Sequence, residues 1–371
     1  MTLTCTACER AHSPHEIQTV CRKCGQPLSA DYFFSPEQFS MDDLEDQPSL
    51  WRYGSFLPSI PPDRRISLGE GHTPLMRLEV GGRDIYLKDE TANPTGSFKD
   101  RGMCIALSMA RVLGIKRVAL PSAGNAGVAA AAYAQAGGLE CRVYLPTTIP
   151  EAFVQEIRDS GAEAVLAGKT ITEAGAAMSR ELDSDWFNLS TFHEPYRVEG
   201  KKTLGLEIAE QLDWDFPDVV VYPTGGGTGL IGIWKAFQEL RSLNWVRKPL
   251  PRMVAVQMEG CGPVVKALHE GQAATEPWPD PHTRALGLNV PAPLAGSWML
   301  SVLRASRGTA LAVPEEEINA AQDQLVAISG LPVGPEAAVA WRGVERLMDQ
   351  GWIMDHERVV VVITGDDRRY G

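Results

Sequence analysis

From about residue 84 onward, the chain alternates short apolar runs with longer segments in which apolar residues recur every three or four positions. Short Val, Ile and Leu runs predict buried strands, and the three-to-four spacing predicts amphipathic helices. Strands that alternate with helices favour parallel sheets covered by helices on both faces, here in two α/β lobes. The predicted strands cover 84–87, 117–120, 141–145, 164–166, 219–222, 253–257 and 359–363. The predicted helices cover 97–113, 126–136, 150–160, 171–182, 198–212, 230–240, 314–328 and 335–350.

The first part of the chain lacks this alternation. Two cysteine pairs lie within residues 1–30, and residues 31–66 are rich in Pro, Asp and aromatic residues without a lasting period. We therefore expect a small cysteine segment at 1–30 and an extended connector with the start of the body at 31–83. A two-lobed body then follows at 84–371, with a smaller lobe at roughly 100–200.

Composition and charge exclude several classes of function. The 371 residues include 35 Lys and Arg against 47 Asp and Glu, a net charge of −12. An acidic balance without a basic cluster argues against nucleic-acid binding. No apolar run has the length of a membrane span, and no basic stretch followed by an apolar one marks an export signal. We therefore expect a cytoplasmic protein that binds neither nucleic acid nor membranes.

The seven cysteines fall into two groups. Two Cys-x-x-Cys pairs separated by 12 residues predict a tetrahedral zinc site formed by Cys5, Cys8, Cys21 and Cys24. The alternatives are His12 or His15 as a ligand, a pair of disulfides, or a knuckle without metal. The three remaining cysteines stand singly among apolar residues and are expected to be buried small side chains.

A lysine begins one of the predicted helices. Residues 93–102 (NPTGSFKDRG) place a turn before this helix, with Ser97 as its N-cap and Lys99 in its first turn. The positive end of a helix favours the neutral form of a nearby lysine, and a neutral amine can form a Schiff base. A solvated lysine on an amphipathic helix is the alternative.

Two glycine-containing loops each join a predicted strand to a predicted helix. In the first, residues 121–127 (PSAGNAG), backbone amides can hold an anion and Asn125 can donate to an aromatic oxygen. The second, residues 222–230 (YPTGGGTGL), is typical of a phosphate cradle. It has neither the lysine of a nucleoside-triphosphate loop nor the spacing of a dinucleotide site, so it predicts a single phosphate. The alternative is an ordinary turn with an N-cap for the first loop and a flexible loop for the second.

The apolar run at 359–363 predicts a buried strand that brings Thr364 to the carboxyl edge of the sheet. There its hydroxyl can bond a ring nitrogen, unless it only caps the strand. A reactive lysine, a cradle for one phosphate, a donor for a phenolic oxygen and a hydroxyl for a ring nitrogen together fit pyridoxal phosphate.

These segments, in this order, resemble the threonine synthase branch of the fold-type-II pyridoxal-phosphate enzymes. The resemblance extends to residues 69–75 (GEGHTPL) and 199–203 (EGKKT), and the cysteine pairs resemble a zinc ribbon that some members carry. It implies a two-lobed α/β fold, a small amino acid as substrate, and a homodimer, which is common in this family.

The resemblance also implies a role for each matching residue. Lys99 would hold the cofactor as a Schiff base, Asn125 would bond its phenolic oxygen, and Thr364 would face its pyridine nitrogen. The residues that would cradle its phosphate are Gly225, Gly226, Gly227 and Thr228. The residues that would bind substrate are Ser122, Ala123 and Gly124 at the carboxylate, and Thr191, Arg197 and Lys202 at the leaving phosphate.

Two segments depart from the family pattern. Where threonine synthases carry an Asn-Ser pair for the substrate phosphate, this chain has Thr191 and Phe192, followed by the negative charge of Glu194. Desolvating a phosphate beside these side chains would be harder. The terminal motif reads TGDDRR at 364–369 in place of Thr-Gly-x-Gly-x-Lys.

The leading hypothesis is therefore a lyase that converts O-phosphohomoserine and water to threonine and phosphate. A dehydratase or ammonia-lyase acting on serine, threonine or another β-hydroxy amino acid is the alternative, which Phe192 and Glu194 favour if they lie in the site. A β-replacement synthase is a third. A zinc-ribbon interaction module with a degenerate body is the non-enzymatic alternative, and the retained lysine, glycine loop and threonine argue against it.

Overall fold

The order of strands and helices follows the alternation in the sequence. The computed structural model describes residues 1–37 and 39–370. Its strands are β1 (Thr2–Cys5), β2 (Ala11–His12), β3 (Leu28–Asp31), β4 (Leu75–Val80), β5 (Arg83–Asp89), β6 (Arg117–Pro121), β7 (Glu140–Leu145), β8 (Glu163–Leu166), β9 (Trp186–Asn188), β10 (Val219–Pro223), β11 (Arg252–Met258), β12 (Thr309–Val313) and β13 (Val359–Ile363). Its α-helices are α1 (Lys99–Val112), α2 (Asn125–Gly137), α3 (Glu151–Asp159), α4 (Ile171–Glu181), α5 (Arg197–Gln211), α6 (Thr228–Ser242), α7 (Pro263–His269), α8 (Gly296–Ala305), α9 (Ile318–Ser329) and α10 (Pro335–Asp349).

Two larger sheets and one small sheet organise these elements. The larger lobe has a six-stranded sheet in the order β12-β11-β10-β13-β5-β4, and the smaller lobe has a parallel sheet in the order β8-β7-β6-β9. An antiparallel sheet, β2-β1-β3, carries the N-terminal cysteines. The predicted two-lobed α/β fold with an N-terminal cysteine segment is confirmed. The exact divisions at residues 30 and 83 stay a prediction.

The six-stranded sheet is mixed rather than wholly parallel. β4 pairs with β5 in antiparallel fashion across the two-residue turn at Gly81 and Gly82, both of which have positive φ. Such a turn favours consecutive glycines because both central residues are left-handed. This dipeptide was therefore a hairpin signal in the sequence.

The two central strands of this sheet are wholly buried, as their apolar runs predict. Alternate valines point to opposite faces. Val220 and Val360 pack in the apolar cluster that includes residues of α5 and α6, whereas Val221 and Val361 pack with residues of α10. The sheet is therefore fixed between two helical layers, and its carboxyl edge is held rigidly for the loops that follow.

Several short elements were not predicted: the strands β1, β2, β3, β4, β9 and β12 and the helices α7 and α8. The missed strands and α7 have two to seven residues each, which is too short to show a clear period. Helix α8 has ten residues and was missed as well. The helix predicted from 314 begins at Ile318, because Glu315–Glu317 form a 3-10 turn first. Among the described residues, no helix has both the length and the apolar character needed to cross a membrane.

Candidate active site

The carboxyl ends of strands from both lobes open onto one cavity of about 430 Å³. The segments that follow β6, β9, β10 and β13 all line it. Ligands bind at this edge in open parallel sheets. Of the residues that the resemblance implies, those lining the cavity are Lys99, Ser122, Ala123, Gly124, Asn125, Thr191, Arg197, Gly225, Gly226, Gly227, Thr228 and Thr364.

Lys99 is the first residue of α1 and lines the cavity. Burial, and then the positive charge of Arg197, lower the pKa of Lys99 from 10.5 to about 7, against the opposing charge of Glu336. A lysine with such a pKa is largely neutral just above pH 7, and its amine can act as a nucleophile or a base.

The N-cap of α1 is Phe98, so the prediction of Ser97 was wrong by one residue. Ser97 instead forms a β-bridge with Gly365, and the N–H of Phe98 donates to the carbonyl of Thr364 at 3.0 Å. These contacts join the lysine segment to the end of the chain, which spacing along the sequence does not reveal. They place Lys99 beside the loop that carries Thr364.

The loop between β6 and α2 is shaped by its own serine. The Ser122 hydroxyl accepts the N–H groups of Gly124 at 3.2 Å and Gly127 at 2.9 Å and donates to the Gly124 carbonyl at 3.0 Å. This hydroxyl is therefore committed to the loop. The donors that remain for a carboxylate are backbone N–H groups at the start of α2, where the helix favours an anion.

Asn125 and Thr364 belong to adjoining loops. A Cβ added to Gly365 would lie 3.2 Å from Nδ2 of Asn125, so the α2 start contacts the loop after β13. Thr364 is buried yet lines the cavity. The two polar groups predicted to face a substituted pyridine ring therefore come from loops in direct contact.

The triple-glycine segment connects β10 to α6. Gly227 has a φ of +86° and is the N-cap of α6, a helix of 15 residues. A Cβ at Gly227 would collide with the side chain of Met299, and one at Gly225 would collide with the carbonyl of Gly287. Only glycine fits these positions, and the resulting loop exposes backbone N–H groups at a helix start, as a phosphate cradle requires.

Arg197 provides a second anion-binding site in the same cavity, in addition to the glycine cradle. It is only 2% exposed, and its Nη1 donates to the carbonyl of Leu189 at 3.0 Å. Its Nε has no partner among the described residues, and no carboxylate there lies within ion-pair distance. Burial lowers the pKa of Arg197, against the opposing charge of Glu194. A buried guanidinium with a free donor is well suited to bind an anionic ligand.

Lys202 does not reach the cavity, which corrects its predicted role at the leaving phosphate. Its Nζ pairs with Glu199 at 2.8 Å and Glu239 at 3.0 Å and donates to the carbonyl of Phe56 at 2.6 Å. On α5, Lys202 lies five residues after Arg197, so it points away from the face that Arg197 presents. It is a buried structural cation.

Phe192 and Glu194 also lie outside the cavity lining. Phe192 is 3% exposed and packs against Trp298 with ring centroids 5.8 Å apart. The carboxylate of Glu194 accepts the N–H groups of Tyr196 at 2.7 Å and Arg197 at 3.0 Å, which caps the start of α5. Burial raises the pKa of Glu194 to about 7, against the lowering effect of Arg197. Phe192 and Glu194 therefore do not obstruct the anion-binding site at Arg197.

Comparison with known proteins identifies the family. The model of a family described as pyridoxal-phosphate dependent enzyme matches residues 66–365, which is most of the chain. The chain belongs to this family. It is therefore a pyridoxal-phosphate-dependent enzyme, and the matched range includes the lysine, both glycine-containing loops and Thr364.

Individual members of the family are similar over nearly the whole chain. The threonine synthase of Methanosarcina acetivorans is 35% identical over 98% of this chain and 91% of its own length. The threonine synthase of Methanocaldococcus jannaschii is 32% identical over 97% of this chain and 91% of its own. Among solved structures, threonine deaminase isoform 2 from Solanum lycopersicum superimposes with a TM-score of 0.71 at 23% identity, covering 87% of this chain and 91% of that one. This last similarity shows the shared fold.

The cavity fits the cofactor of the family. Tyr222 is 2% exposed, and its hydroxyl has no partner among the described residues. A Cβ at Gly229 would collide with the Tyr222 hydroxyl, so this hydroxyl lies at the start of α6 beside the cradle. An orphaned buried donor and a glycine loop at one helix start fit a phosphate ester, and Lys99 fits an aldehyde carbon.

Other lining residues carried no signal in the sequence. Glu336, near the start of α10, accepts the N–H of Gly287 at 2.7 Å and the hydroxyl of Tyr370 at 2.8 Å. It thereby ties the loop at 286–294 and the end of the chain to the larger lobe. His193 also lines the cavity. Each stands alone in its segment, without a motif that marks it.

The four predicted cysteine ligands meet at one point of the N-terminal sheet. Their sulfur atoms all lie within 4.8 Å of one another, and the Cys5–Cys24 and Cys8–Cys21 sulfurs are 3.4 and 3.6 Å apart. All four are free thiols, so the disulfide alternative was wrong. Neither His12 nor His15 belongs to the group among the described residues.

This cluster fits zinc. Thiolates at about 2.3 Å from a zinc ion lie about 3.8 Å apart in a tetrahedron, close to the observed separations. The N–H of Lys23 approaches the Cys21 sulfur at 3.4 Å. Burial raises the pKa of the Cys21 thiol, but such backbone donors lower it to about 5. Gly25, with a φ of +73°, closes the turn behind that sulfur by donating to the carbonyl of Cys21 at 2.8 Å.

Proposed function

We propose that this enzyme is a threonine synthase that converts O-phosphohomoserine and water to threonine and phosphate. The observation that carries the proposal is the second anion-binding site in the cavity. With the cofactor phosphate in the glycine cradle, the buried and unpaired guanidinium of Arg197 remains for a phosphate on the substrate. The threonine synthases that align over almost the whole chain support the same reaction.

Lys99 carries the proton transfers in this proposal. Pyridoxal phosphate, when bound, supplies an electron sink for negative charge at the carbon that bears the substrate amine. Lys99 would hold the cofactor, and its free amine would remove the Cα proton and then a Cβ proton. A pKa of about 7 lets the same amine accept and return protons near neutral pH.

The remaining residues bind and orient the substrate. Backbone N–H groups at the start of α2 hold its carboxylate, and Arg197 with Thr191 holds its phosphate. As the Cγ–O bond breaks, the positive charge of Arg197 stabilises the negative charge that grows on the leaving phosphate. Water supplies the hydroxyl that ends on Cβ. Of the three protons released from Cα, Cβ and water, one returns to Cα, one goes to Cγ and one leaves with the phosphate. Thr364 and Asn125 keep the cofactor ring in place for these steps.

The dehydratase and β-replacement alternatives are less well supported. Phe192 and Glu194, the side chains that favoured these alternatives, point into the protein and leave the phosphate-binding site open. A substrate with only a hydroxyl leaving group would leave the guanidinium of Arg197 without its anion, at the energetic cost of an unpaired buried charge.

A substrate panel tests the proposal. The purified holoenzyme is incubated with O-phosphohomoserine, serine, threonine and hydroxyaspartate, and both phosphate and 2-oxo acid are measured. We expect phosphate and threonine from O-phosphohomoserine and little 2-oxo acid from the others. Activity on the hydroxy amino acids alone would overturn the proposal. Borohydride reduction followed by peptide mass spectrometry should place a pyridoxyl group on Lys99.

We further propose structural zinc at the four cysteines, a cytoplasmic location and a homodimer. The sulfur cluster supports zinc, and seven free thiols among the described residues suit a reducing compartment. Metal analysis should find about one zinc per chain, which the double variant C5S/C8S should lose. Light scattering should give twice the mass of 40.4 kDa.

A further inference from the structure

One strained residue shapes the wall of the cavity that carries Arg197. Phe192 has a φ of +62°, in the left-handed region that bulky side chains rarely adopt. The backbone turns here, and the N–H of His193 donates to the carbonyl of Ser190 at 3.0 Å. Strain of this kind persists where the surrounding structure holds a required geometry.

The turn sorts its side chains into two sets. Phe192 enters the apolar core and Glu194 caps α5, so both leave the cavity. Thr191 and His193, on either side of Phe192, line the cavity together with Arg197. An unstrained extended loop would alternate its side chains in the same way, but without the bend that turns this segment into α5. The strained turn therefore brings two polar side chains to the cavity that Arg197 also lines.

We propose that His193 is a further substrate-binding residue, whose imidazole donates to the same anion that Arg197 binds. This inference rests on the proposed function, because that anion is the phosphate of the substrate. The side chain of His193 is half-buried, and its ring nitrogens make no hydrogen bond within the described residues. It is therefore available to a ligand, and it is the group on this wall that can gain a positive charge when the ligand arrives.

Burial lowers the pKa of His193, so the imidazole is neutral at pH 7 when no anion is present. A dianion within hydrogen-bond distance favours the protonated form and raises the pKa again. Anion binding then takes up a proton. The affinity should consequently increase as the pH falls from the pKa of the bound state to that of the free state.

Other charged or titratable groups face the same space. Those that line the cavity with His193 are Lys99, Arg197, Tyr222, Glu336 and Tyr370, and Glu194 lies in the same turn. In the holoenzyme the cofactor engages Lys99. Glu194 has a pKa of about 7, so its protonation would also strengthen anion binding as the pH falls. Any experiment must therefore separate His193 from Glu194.

Sulfate is a suitable probe because it stays a dianion across the range in which histidine titrates. The dissociation constant of sulfate for the holoenzyme, whose cradle is filled by the cofactor phosphate, is measured by calorimetry from about pH 5.5 to about pH 8.5. For the unmodified protein we expect about tenfold tighter binding at the acid end. H193Q should lose most of this pH dependence, and E194Q, whose amide oxygen can still cap α5, should keep it. H193N serves as a second variant that retains a donor but cannot titrate.

Equal pH dependence in H193Q and the unmodified protein would overturn the inference, as would its loss in E194Q alone. Melting temperatures within a few degrees would show that the variants are folded. The proposed function can fail on its own. If O-phosphohomoserine is not turned over but sulfate binding depends on His193, the cavity has an anion-binding site whose natural ligand is a different anion. If turnover depends on Arg197 and not on His193, only the inference falls.

Discussion

Two arginines, Arg101 and Arg197, are almost completely buried, at 0% and 2% exposure, yet their surroundings differ. Arg101 lies 2.6 Å from the Glu90 carboxylate and 2.7 Å from that of Glu207, and Lys88 pairs with Glu207 at 2.8 Å. These carboxylates hold the pKa of Arg101 well above its usual value despite burial. Arg197 has no such partner among the described residues, and burial lowers its pKa.

The difference separates a structural charge from a functional one. Arg101 joins α1 to α5 and to the turn that follows β5, and removing it leaves carboxylates without a partner. A buried cation without an anion costs folding free energy, which is tolerated where a ligand supplies the missing charge. Lys99, whose pKa is about 7, is a functional buried cation like Arg197, whereas Lys202 is a paired structural cation like Arg101.

The largest effect is expected from Lys99→Ala. Without the amine, the holoenzyme loses both the covalent hold on the cofactor and the base, so kcat should fall on the order of 10³-fold or more. The melting temperature of the apoprotein should not fall, because no carboxylate among the described residues forms an ion pair with the amine. Steady-state kinetics and calorimetry check both halves. A variant with near-normal kcat would contradict the assignment of Lys99.

Arg101→Met should have the next largest effect, and on stability rather than chemistry. Leaving Glu90 and Glu207 without their partner should cost about 3–5 kcal/mol of unfolding free energy. Urea unfolding measures this, with Arg117→Met as the control, since the exposed pair of Arg117 with Glu140 should contribute at most about 1 kcal/mol. Equal losses in the two variants would contradict the distinction between them.

Arg197→Met should show the opposite pattern. Loss of a charged hydrogen bond to the substrate phosphate should lower kcat/KM for O-phosphohomoserine by about 10- to 150-fold, which corresponds to about 1.5–3 kcal/mol. The unfolding free energy should stay the same or rise, because an unpaired buried charge is removed. If Arg197→Met is destabilised as strongly as Arg101→Met, the guanidinium is structural and the comparison fails.

Much of the fold could be predicted because its signal is local. The valine runs of β10 and β13 and the long periodic helices α1, α5 and α10 are within a few residues of their predicted ranges. Their patterns reflect burial on known faces. The hairpin strand β4 was missed although its glycine pair was present, and β9, with three residues, is too short to carry a pattern.

Motifs also located most of the cavity, because a strand, a glycine-rich turn and a helix in succession dictate where a loop lies. What failed depended on contacts between distant segments. The pairing of Lys202 with Glu239 and the turn of Phe192 into the core are tertiary choices that no spacing encodes. Glu336 and His193 are single polar residues, and only the assembled lobes show that they meet.

Lys202→Met removes a second buried cation that is paired with carboxylates. Its loss leaves Glu239 without this partner, but burial already raises the pKa of Glu239 to about 7, so protonation can soften the penalty. We expect a loss of about 1–3 kcal/mol in unfolding free energy. The KM for O-phosphohomoserine should stay within about twofold, since Lys202 lies outside the cavity. A large rise in KM without loss of stability would restore the role first predicted for it.

The smallest effect concerns the pH at which the apoenzyme captures its cofactor. Capture requires the neutral amine of Lys99, whose pKa burial and then Arg197 lower to about 7. The neutral fraction, and with it the capture rate, should rise about tenfold from pH 6 to pH 8 and then level off. A lysine at 10.5 would instead give a rate that still rises steeply above pH 8. In Arg197→Met the charge that lowers the pKa of Lys99 is gone, so this pKa rises and the plateau moves to higher pH. Stopped-flow absorbance of the bound cofactor measures the profile, and a plateau that does not move would show that burial alone sets the pKa of Lys99.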